Sequence, residues 1–307
     1  MNSLSYYIKH PSKFIGGVFV KFNRLFRNDE LYLRIIFRCI TGRRLNLKDP
    51  QTFTEKLQWL KLYNRQPILS RMVDKYTAKE YAANIVGEQY IIPTLGVWNS
   101  VDDIDWEALP QQFVLKTTHG GGGSGVVICK DKSSFDFEKA KVKLRKSMKT
   151  NAYHTLREWP YKNIKPRIIA EEYMSNGGEY LNDYKFFCFN GVPKAMLIAS
   201  GRYVEPQTCF DYYDMDFNHL PFEQGGPNYK KHIEKPRLFE EMKDIAAKLS
   251  EGLIHARIDL YDINGNVKFG EITFFDDSGM AEFNPQEWDY IFGSWIQLPT
   301  KKHNDKE

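Results

Sequence analysis

Two short stretches of the 307-residue sequence carry residue types at spacings that could do chemistry. The first is Phe113-Val-Leu-Lys116-Thr-Thr-His119-Gly-Gly-Gly-Gly-Ser-Gly125-Val-Val-Ile-Cys-Lys130: an apolar run, a glycine cluster and a second apolar run. Glycines tolerate positive φ and carry no side chain, so the N–H groups of such a loop can surround a phosphate. Gly120, Gly122 and Gly125 satisfy GxGxxG, but Val126, Val127 and Ile128 favour a strand where a dinucleotide fingerprint requires a helix. A Walker loop requires Lys after Gly125 and meets Val126 instead. The kinase loop pattern extends to Val127, yet neither HRD nor DFG occurs, and an esterase reading of His119 with the glycines lacks a GxSxG elbow.

The second stretch is His255-Ala-Arg-Ile-Asp-Leu-Tyr261 and Val267-Lys-Phe-Gly-Glu-Ile-Thr273, flanking the hairpin signal Asn264-Gly265. Ala256, Ile258 and Leu260 share one face, as do Ile272 and Phe274. Packing both sets on one core puts Arg257 and Asp259 together with Glu271 and Thr273 on the other face. For that pairing to hold the loop must be odd, which predicts three residues with Gly265 left-handed; a two-residue turn would separate Asp259 from Glu271. Two carboxylates beside an arginine suit Mg²⁺, which takes one or two protein carboxylates and fills its shell with water and phosphate oxygens. A cross-strand Arg257–Glu271 ion pair on a solvated face is the plainer alternative. Replacing Asp259 by Asn is expected to lower magnesium affinity and turnover with little change in stability.

The elements that must position these residues form an α+β pattern. Thr52-Phe-Thr-Glu55 fits a capping box, and a second helix is expected from Asp74 to about Ile85. Short strands follow at 113–118, 126–130, 167–174, 184–189, 193–199, 254–261 and 267–274, with helices at 136–149 and 235–250. An aromatic and acidic loop around 203–229, with Tyr212, Tyr213, Asp214 and Asp216, is a candidate for acceptor recognition or for irregular packing on the rim. At this length two lobes with a cleft are expected: a basic helical region over 1–70, a first lobe over 71–165 and a second over 166–300.

Composition narrows the class. With 42% hydrophobic residues the chain can build a core without staples, and the four cysteines form no CxxC pair, which fits a reducing cytosol. Neither a spanning helix nor a signal peptide is evident. Net charge is +4, with ten Lys or Arg against three acidic residues in positions 1–50. There Leu31, Ile35 and Arg38, beside Phe26, Leu33, Ile36 and Phe37, are compatible with a basic amphipathic helix on a membrane surface or with a solvated cap. Nucleic acid is not expected as a partner.

Asp74-Lys-Tyr76, the glycine segment, Ile169-Ala-Glu-Glu-Tyr173, Asp183-Tyr-Lys-Phe186 and the 256–273 hairpin, in this order, resemble the ATP-grasp fold over about residues 45–285. The fuller match is to its TupA-like branch, associated with teichuronopeptide and other cell-surface polysaccharide biosynthesis. The resemblance implies ATP and Mg²⁺ as cofactors and a carboxylate–amine ligase working through an acyl phosphate. A glycosyltransferase-like or phosphate transferase and a non-catalytic nucleotide-binding module are the alternatives. It implies that Lys116 reaches the nucleotide phosphates and that His119, Gly120, Gly121, Gly122, Gly123, Ser124 and Gly125 form the loop closing over them, with Lys75 and Lys185 as supporting cations. Glu171, Glu172, Tyr173 and Met174 correspond to the segment that holds adenine, and Glu179 to a ribose contact. Asp259 and Glu271 resemble the magnesium carboxylates, and Thr273 stands where many members have Asn. Arg257 resembles the residue that stabilises charge on the acyl phosphate. The expected partners are a small-molecule or lipid-linked saccharide acceptor and an amino acid or other amine, at the cytoplasmic membrane face.

Overall fold

The computed structural model describes residues 17, 19–121, 123–177, 182–200, 208–229 and 231–299. The chain opens with helices α1 (Asp29–Thr41), α2 (Phe53–Tyr63), α3 (Pro67–Val73) and α4 (Thr77–Val86). The start of α2 is where the local sequence puts it: Thr52 accepts from the Glu55 N–H while the Glu55 carboxylate returns to the Thr52 N–H. The Asp74 carboxylate accepts from the N–H groups of Tyr76 and Thr77 and so opens α4.

Strands β1 (Thr94–Trp98), β2 (Phe113–Thr117) and β3 (Val126–Cys129) are followed by helices α5 (Phe137–Met148) and α6 (Ala152–Leu156). Strand β4 (Ile168–Glu172) closes an antiparallel four-stranded sheet in the order β1-β4-β2-β3. Phe113, Leu115, Val127, Ile168 and Ala170 on one face of this sheet bury Ala140 and Leu144 of α5, and make a core of their own.

The rest of the chain comprises β5 (Asp183–Phe189), β6 (Val192–Ser200), β7 (Cys209–Tyr213), β8 (His219–Leu220), β9 (Glu223–Gln224), α7 (Phe239–Ser250), β10 (His255–Ile263), β11 (Asn266–Thr273), β12 (Phe283–Asn284) and α8 (Glu287–Trp295). Six of these strands form an antiparallel sheet ordered β11-β10-β5-β6-β7-β8. Its core also takes in Tyr32, Leu33, Ile36 and Phe37 of α1 and Phe53, Leu57 and Leu60 of α2. The apolar face of α1 is therefore spent on the core, so Leu33, Ile36 and Phe37 are not available to a membrane; Phe22, Leu25 and Leu31 stay exposed. Residues 1–16 of the basic segment lie outside the described residues. Among the described residues no helix is long and apolar enough to cross a membrane.

The two chain halves are joined by Asp289 of α8. Its buried carboxylate accepts from the Thr54 N–H (2.9 Å), the Thr54 hydroxyl (2.8 Å) and Arg43 (2.8 Å). Gly293 lets the two helices approach: a Cβ there would lie 2.3 Å from the Gln51 carbonyl oxygen.

His255, at the start of β10, is buried among Phe53, Phe187 and Phe189, and its Nδ1–H donates to the Cys188 carbonyl at 3.0 Å. Burial pushes this imidazole down to about 3. Below the ordinary value near 6.5 the unfolded chain binds a proton that the folded one excludes, so the stability is full above that value and lost as pH falls. Urea midpoints between pH 6.5 and 4 should fall in the native protein with a slope of up to about 1.4 kcal/mol per pH unit from this group. His255→Phe should be less stable at pH 7, because the Cys188 carbonyl loses its donor, but flatter with pH. An unchanged slope would remove His255 as the cause.

Candidate active site: a cleft of paired charges

Strand pairing sets Lys116 against Glu171. In the β2–β4 register Val114 faces Glu171 and Lys116 faces Ile169, so Lys116 and Glu171 are diagonal neighbours on the same sheet face. Lys116 Nζ lies 2.6 Å from one Glu171 oxygen, and Lys79 Nζ from α4 lies 2.5 Å from the other. Burial opposes the charge on Glu171, and the Lys116 and Lys79 ammoniums overcome it and hold the carboxyl below its ordinary range. Lys116 is likewise raised: burial works against it, and Glu171, then Glu271 and Asp183, outweigh that. Lys79, on the first turn of α4, was not among the residues expected here.

The second charge group sits on the six-stranded sheet. Asp259 pairs directly with Lys185 of β5 and with Glu271 of β11. Arg257 holds Asp259 with two bonds, Nε to Oδ1 at 2.7 Å and Nη2 to Oδ2 at 2.8 Å, while Lys185 donates to Oδ2 from the other side. Arg257 also reaches Thr273 (3.3 Å) and Asp276. Burial disfavours its charge, but Asp259 and Glu271 raise the guanidinium well above its ordinary value. Glu271 is the carboxylate that opens to the cleft, its side chain 32% exposed against 3% for Asp259. Lys75 Nζ holds it at 2.6 Å and Arg257 faces its other oxygen at 3.5 Å. Burial would raise this carboxyl; Lys75, Arg257 and Lys185 pull it far below its usual range.

The hairpin that presents these groups differs from expectation in one respect. Its loop has two residues, Asn264 and Gly265, both left-handed at φ 52° and 77°, between the paired Ile263 and Asn266. Asp259 and Glu271 nevertheless stand opposite each other, because the register shifts beyond Asp259: Leu260 pairs with Phe269, and Gly270 is the extra residue. A Cβ on Gly270 would lie 2.9 Å from the Asp259 carbonyl oxygen. The bulge is visible in the residues themselves. Val267 and Phe269 are buried at odd positions and Ile272 and Phe274 at even ones, and Gly270 falls where the parity switches.

The glycine loop joins the two groups. Gly120 and Gly125 are glycine for packing reasons, since a Cβ on either would come within 2.4 Å of the Thr117 hydroxyl, which is itself bonded to Ser147. Gly121 and Gly123 face open space; Ser124 bonds back to the Gly121 carbonyl. His119 is buried and bonded through Nε2 to the Thr150 carbonyl, so it anchors the loop root and does not enter the cleft. Lys75 bridges loop and hairpin, donating to the Gly120 carbonyl at 2.8 Å and to Glu271.

Other expected residues fall elsewhere. Glu172 follows Glu171 in β4 and points to the opposite sheet face; with Tyr173 it lines a shallow recess beside Leu95, Gln112 and Lys130. Met174 is half-buried in the segment leaving β4. Gly122 and Glu179 lie outside the described residues. The region 203–229 is not an irregular loop where it is described: Tyr212 is buried and bonded to Gln224, Tyr213 stacks on Phe217 at 4.2 Å, and Asp214 accepts from Asn218. Tyr212, Tyr213 and Asp214 thus hold the β7–β9 segment together.

Behind Arg257 a turn over Asp276–Gly279 carries Asp277 and Ser278 at positive φ. Gln58 donates to the Ser278 and Gly279 carbonyls, buried Lys61 donates to the Ser278 carbonyl at 2.7 Å, and the Ser278 hydroxyl donates to Glu158. Burial drives the Lys61 ammonium down to about 7 against the field of Glu158. These residues fix Asp276 against Arg257, and no sequence pattern marks them.

The donor set suits Mg²⁺. Among the described residues no group of three or more His, Cys, Asp or Glu converges as a metal cage. Two carboxylates in register and the Thr273 hydroxyl are hard oxygen donors that leave about half of a six-fold shell to phosphate and water. The positions a cation would take on them are filled by ammonium and guanidinium groups.

Residues 55–297 match the family model described as TupA-like ATPgrasp. No curated protein matches the chain. Similar solved structures include D-alanine–D-alanine ligase from Bacillus anthracis, at 18% identity and TM-score 0.41 over 69% of this chain and 60% of that one. The ADP complex of PurK, N5-carboxyaminoimidazole ribonucleotide synthetase, is 12% identical with TM-score 0.43 over 78% and 56%. The ATP-grasp ligase PsnB with its minimal precursor is 12% identical with TM-score 0.39 over 72% and 59%. The chain spans about three fifths of the length of these solved proteins.

Proposed function

Because the chain belongs to the TupA-like ATP-grasp family, we propose that it is an ATP-dependent carboxylate–amine ligase acting on a saccharide acceptor, free or lipid-linked, in cell-surface polysaccharide modification. The observation that carries this reading is that Lys116 and Lys185 sit against carboxylates that an anionic ligand could replace, beside an Arg257 held in place by Asp259 and Asp276.

Lys116 and Lys185 would leave their carboxylate partners for the phosphates of ATP, and the N–H groups of Gly121 and Gly123, where an added Cβ would meet nothing within 4 Å, would receive phosphate oxygens. Glu271, with Asp259 and Thr273, would hold Mg²⁺, which supplies charge neutralisation at the β- and γ-phosphates when bound. A substrate carboxylate oxygen attacks the γ-phosphorus as its bond to the bridging oxygen breaks, giving an acyl phosphate and ADP. The amine nitrogen then attacks the acyl carbon, phosphate departs, and the amine proton passes to solvent. Arg257, fixed by Asp259 and Asp276, faces the charge that develops in both steps. No covalent enzyme intermediate is required, consistent with the absence of a nucleophile and base pair in the sequence.

The test is ADP release in a panel of uronic acids crossed with amino acids, run on the native protein and on Lys116→Ala. Lys79 still neutralises Glu171 in that variant, so its melting temperature should stay within a few degrees. Its turnover should drop by about two to three orders of magnitude, the usual scale for removing a preorganised electrostatic contact. Carboxylate- and amine-independent transfer of phosphate or sugar would replace the ligase with a transferase. Full activity in the variant would remove Lys116 from the chemistry.

A further inference from the structure

Lys75 occupies an unusual place: one ammonium joins the carboxylate proposed to hold the metal to the loop proposed to hold the nucleotide. It lies 2.6 Å from Glu271 Oε2 and 2.8 Å from the Gly120 carbonyl oxygen. The other Glu271 oxygen faces Arg257 Nη2 at 3.5 Å, so both oxygens of this carboxylate already meet a cation. A divalent ion arriving at Glu271 would meet the repulsion of both, which favours displacing one of them, and the two are not equally movable. Arg257 is pinned by Asp259 through two bonds and further by Asp276 and Thr273. Lys75 is a point charge on a flexible four-carbon stem, whose side-chain partners among the described residues are Glu271 and a neutral carbonyl.

Resting on the magnesium and ATP reading above, we propose that Lys75 is an exchangeable internal counter-ion of the metal site: it neutralises Glu271 in the metal-free protein and is expelled by the metal toward the phosphate side of the cleft. In the described cleft Lys75, Lys79, Lys116, Lys185 and Arg257 are each paired with one or more of Glu171, Asp183, Asp259, Glu271 and Asp276. A metal on Glu271 then sets free one positive charge, beside the loop, where a polyphosphate would lie. Metal and nucleotide affinities become linked through a residue that need not ligate the metal, and the linkage is reciprocal.

The proposal predicts that removing this cation improves metal binding. Free Mn²⁺, measured by its electron spin resonance signal without nucleotide, should show Lys75→Met binding the ion about fivefold or more tightly than the native protein, the lower end of ordinary coupling between sites. Lys75→Arg, which keeps the charge, should not gain affinity, and Glu271→Gln should bind weakly whatever stands at position 75. In the native protein Mn²⁺ should raise the labelling of Lys75 by an amine-reactive reagent while Lys79, held on Glu171, keeps its rate. Should Lys75→Met not fold, Lys75→Gln serves the same comparison. Equal or weaker Mn²⁺ binding in the neutral variants, with the native protein binding the ion, overturns the counter-ion role and leaves the ligase reading standing. No Mn²⁺ binding by any form, even with an ATP analogue, overturns both.

Discussion

Asparagine at position 259 should cost the protein about 3–5 kcal/mol of stability, the scale for removing one partner of a buried ion pair, together with most of its turnover. Neutralising a carboxylate at nearly constant volume is harmless on a solvated strand face, and the alternation of the hairpin by itself predicts that outcome. The structure reverses the expectation. The Asp259 side chain is 3% exposed and lies between Arg257 and Lys185, whose own side chains are 11% and 10% exposed. An amide can accept from both but returns no charge, so two cations remain in a largely dehydrated place. With its two-bond clamp weakened, Arg257 would no longer be held toward the substrate, and turnover should fall by at least about 100-fold. Urea midpoints and ADP release on the same preparation check the two halves. A variant as stable as the native protein would show that Asp259 is not the anchor of this group, whatever happened to its activity.

Valine at position 270 should be at least as damaging, although glycine there makes no side-chain contact at all. The added Cβ would meet the Tyr261 ring at 2.8 Å and the Asp259 carbonyl oxygen at 2.9 Å. The carbonyl cannot yield without loosening the β10–β11 ladder. If the strands escape by losing the bulge, the two-residue turn dictates an even register: Glu271 then turns toward the core and Ile272 toward the cleft. Either route should lower stability by more than about 2 kcal/mol, at or beyond the usual overpacking range, and abolish metal-dependent turnover. Gly265→Ala is the control. Gly265, unlike Gly270, has a positive φ, but nothing lies within 4 Å of a Cβ there, so the cost should be about 1–2 kcal/mol of backbone strain with activity retained. If circular dichroism melts ranked the two substitutions the other way, the bulge would not be what aligns Asp259 with Glu271.

What could be read from residues alone follows the range of the interactions. The Thr52–Glu55 capping box, the strands beside the glycines and the shared face of Arg257, Asp259, Glu271 and Thr273 depend on neighbours within a few positions or across one hairpin, and they were legible. The loop length was misjudged because alternation was carried straight through Gly270, where the apolar parity of Val267 and Phe269 gives way to that of Ile272 and Phe274. Alternation also separates Glu171 from Glu172, but it cannot say which one enters the cleft; the β2–β4 register decides that, and no local pattern encodes it. The 203–229 segment looked irregular because its aromatic and acidic residues hide a hairpin whose Asp211 is buried, accepting from the Tyr229 N–H at 3.0 Å. Asp276, Lys61 and Glu158 lay beyond reach for the same reason: they act on Arg257 through contacts between segments remote along the chain.

The tie between α2 and α8 has a consequence in time. Helix α2 can wind as soon as its capping box has left the ribosome, yet the carboxylate that takes the Thr54 N–H belongs to Asp289, 235 residues later. At about 5–20 residues per second that is a wait of roughly 10 to 50 s. Through it Phe53, Leu57 and Leu60 lack the β5–β10 sheet and the α8 helix that cover them in the finished molecule. The nascent chain thus carries the apolar face of α2 uncovered while those 235 residues emerge. The larger core is a late event in biosynthesis, and the four-stranded sheet with α5, complete by residue 172, can be the earlier one.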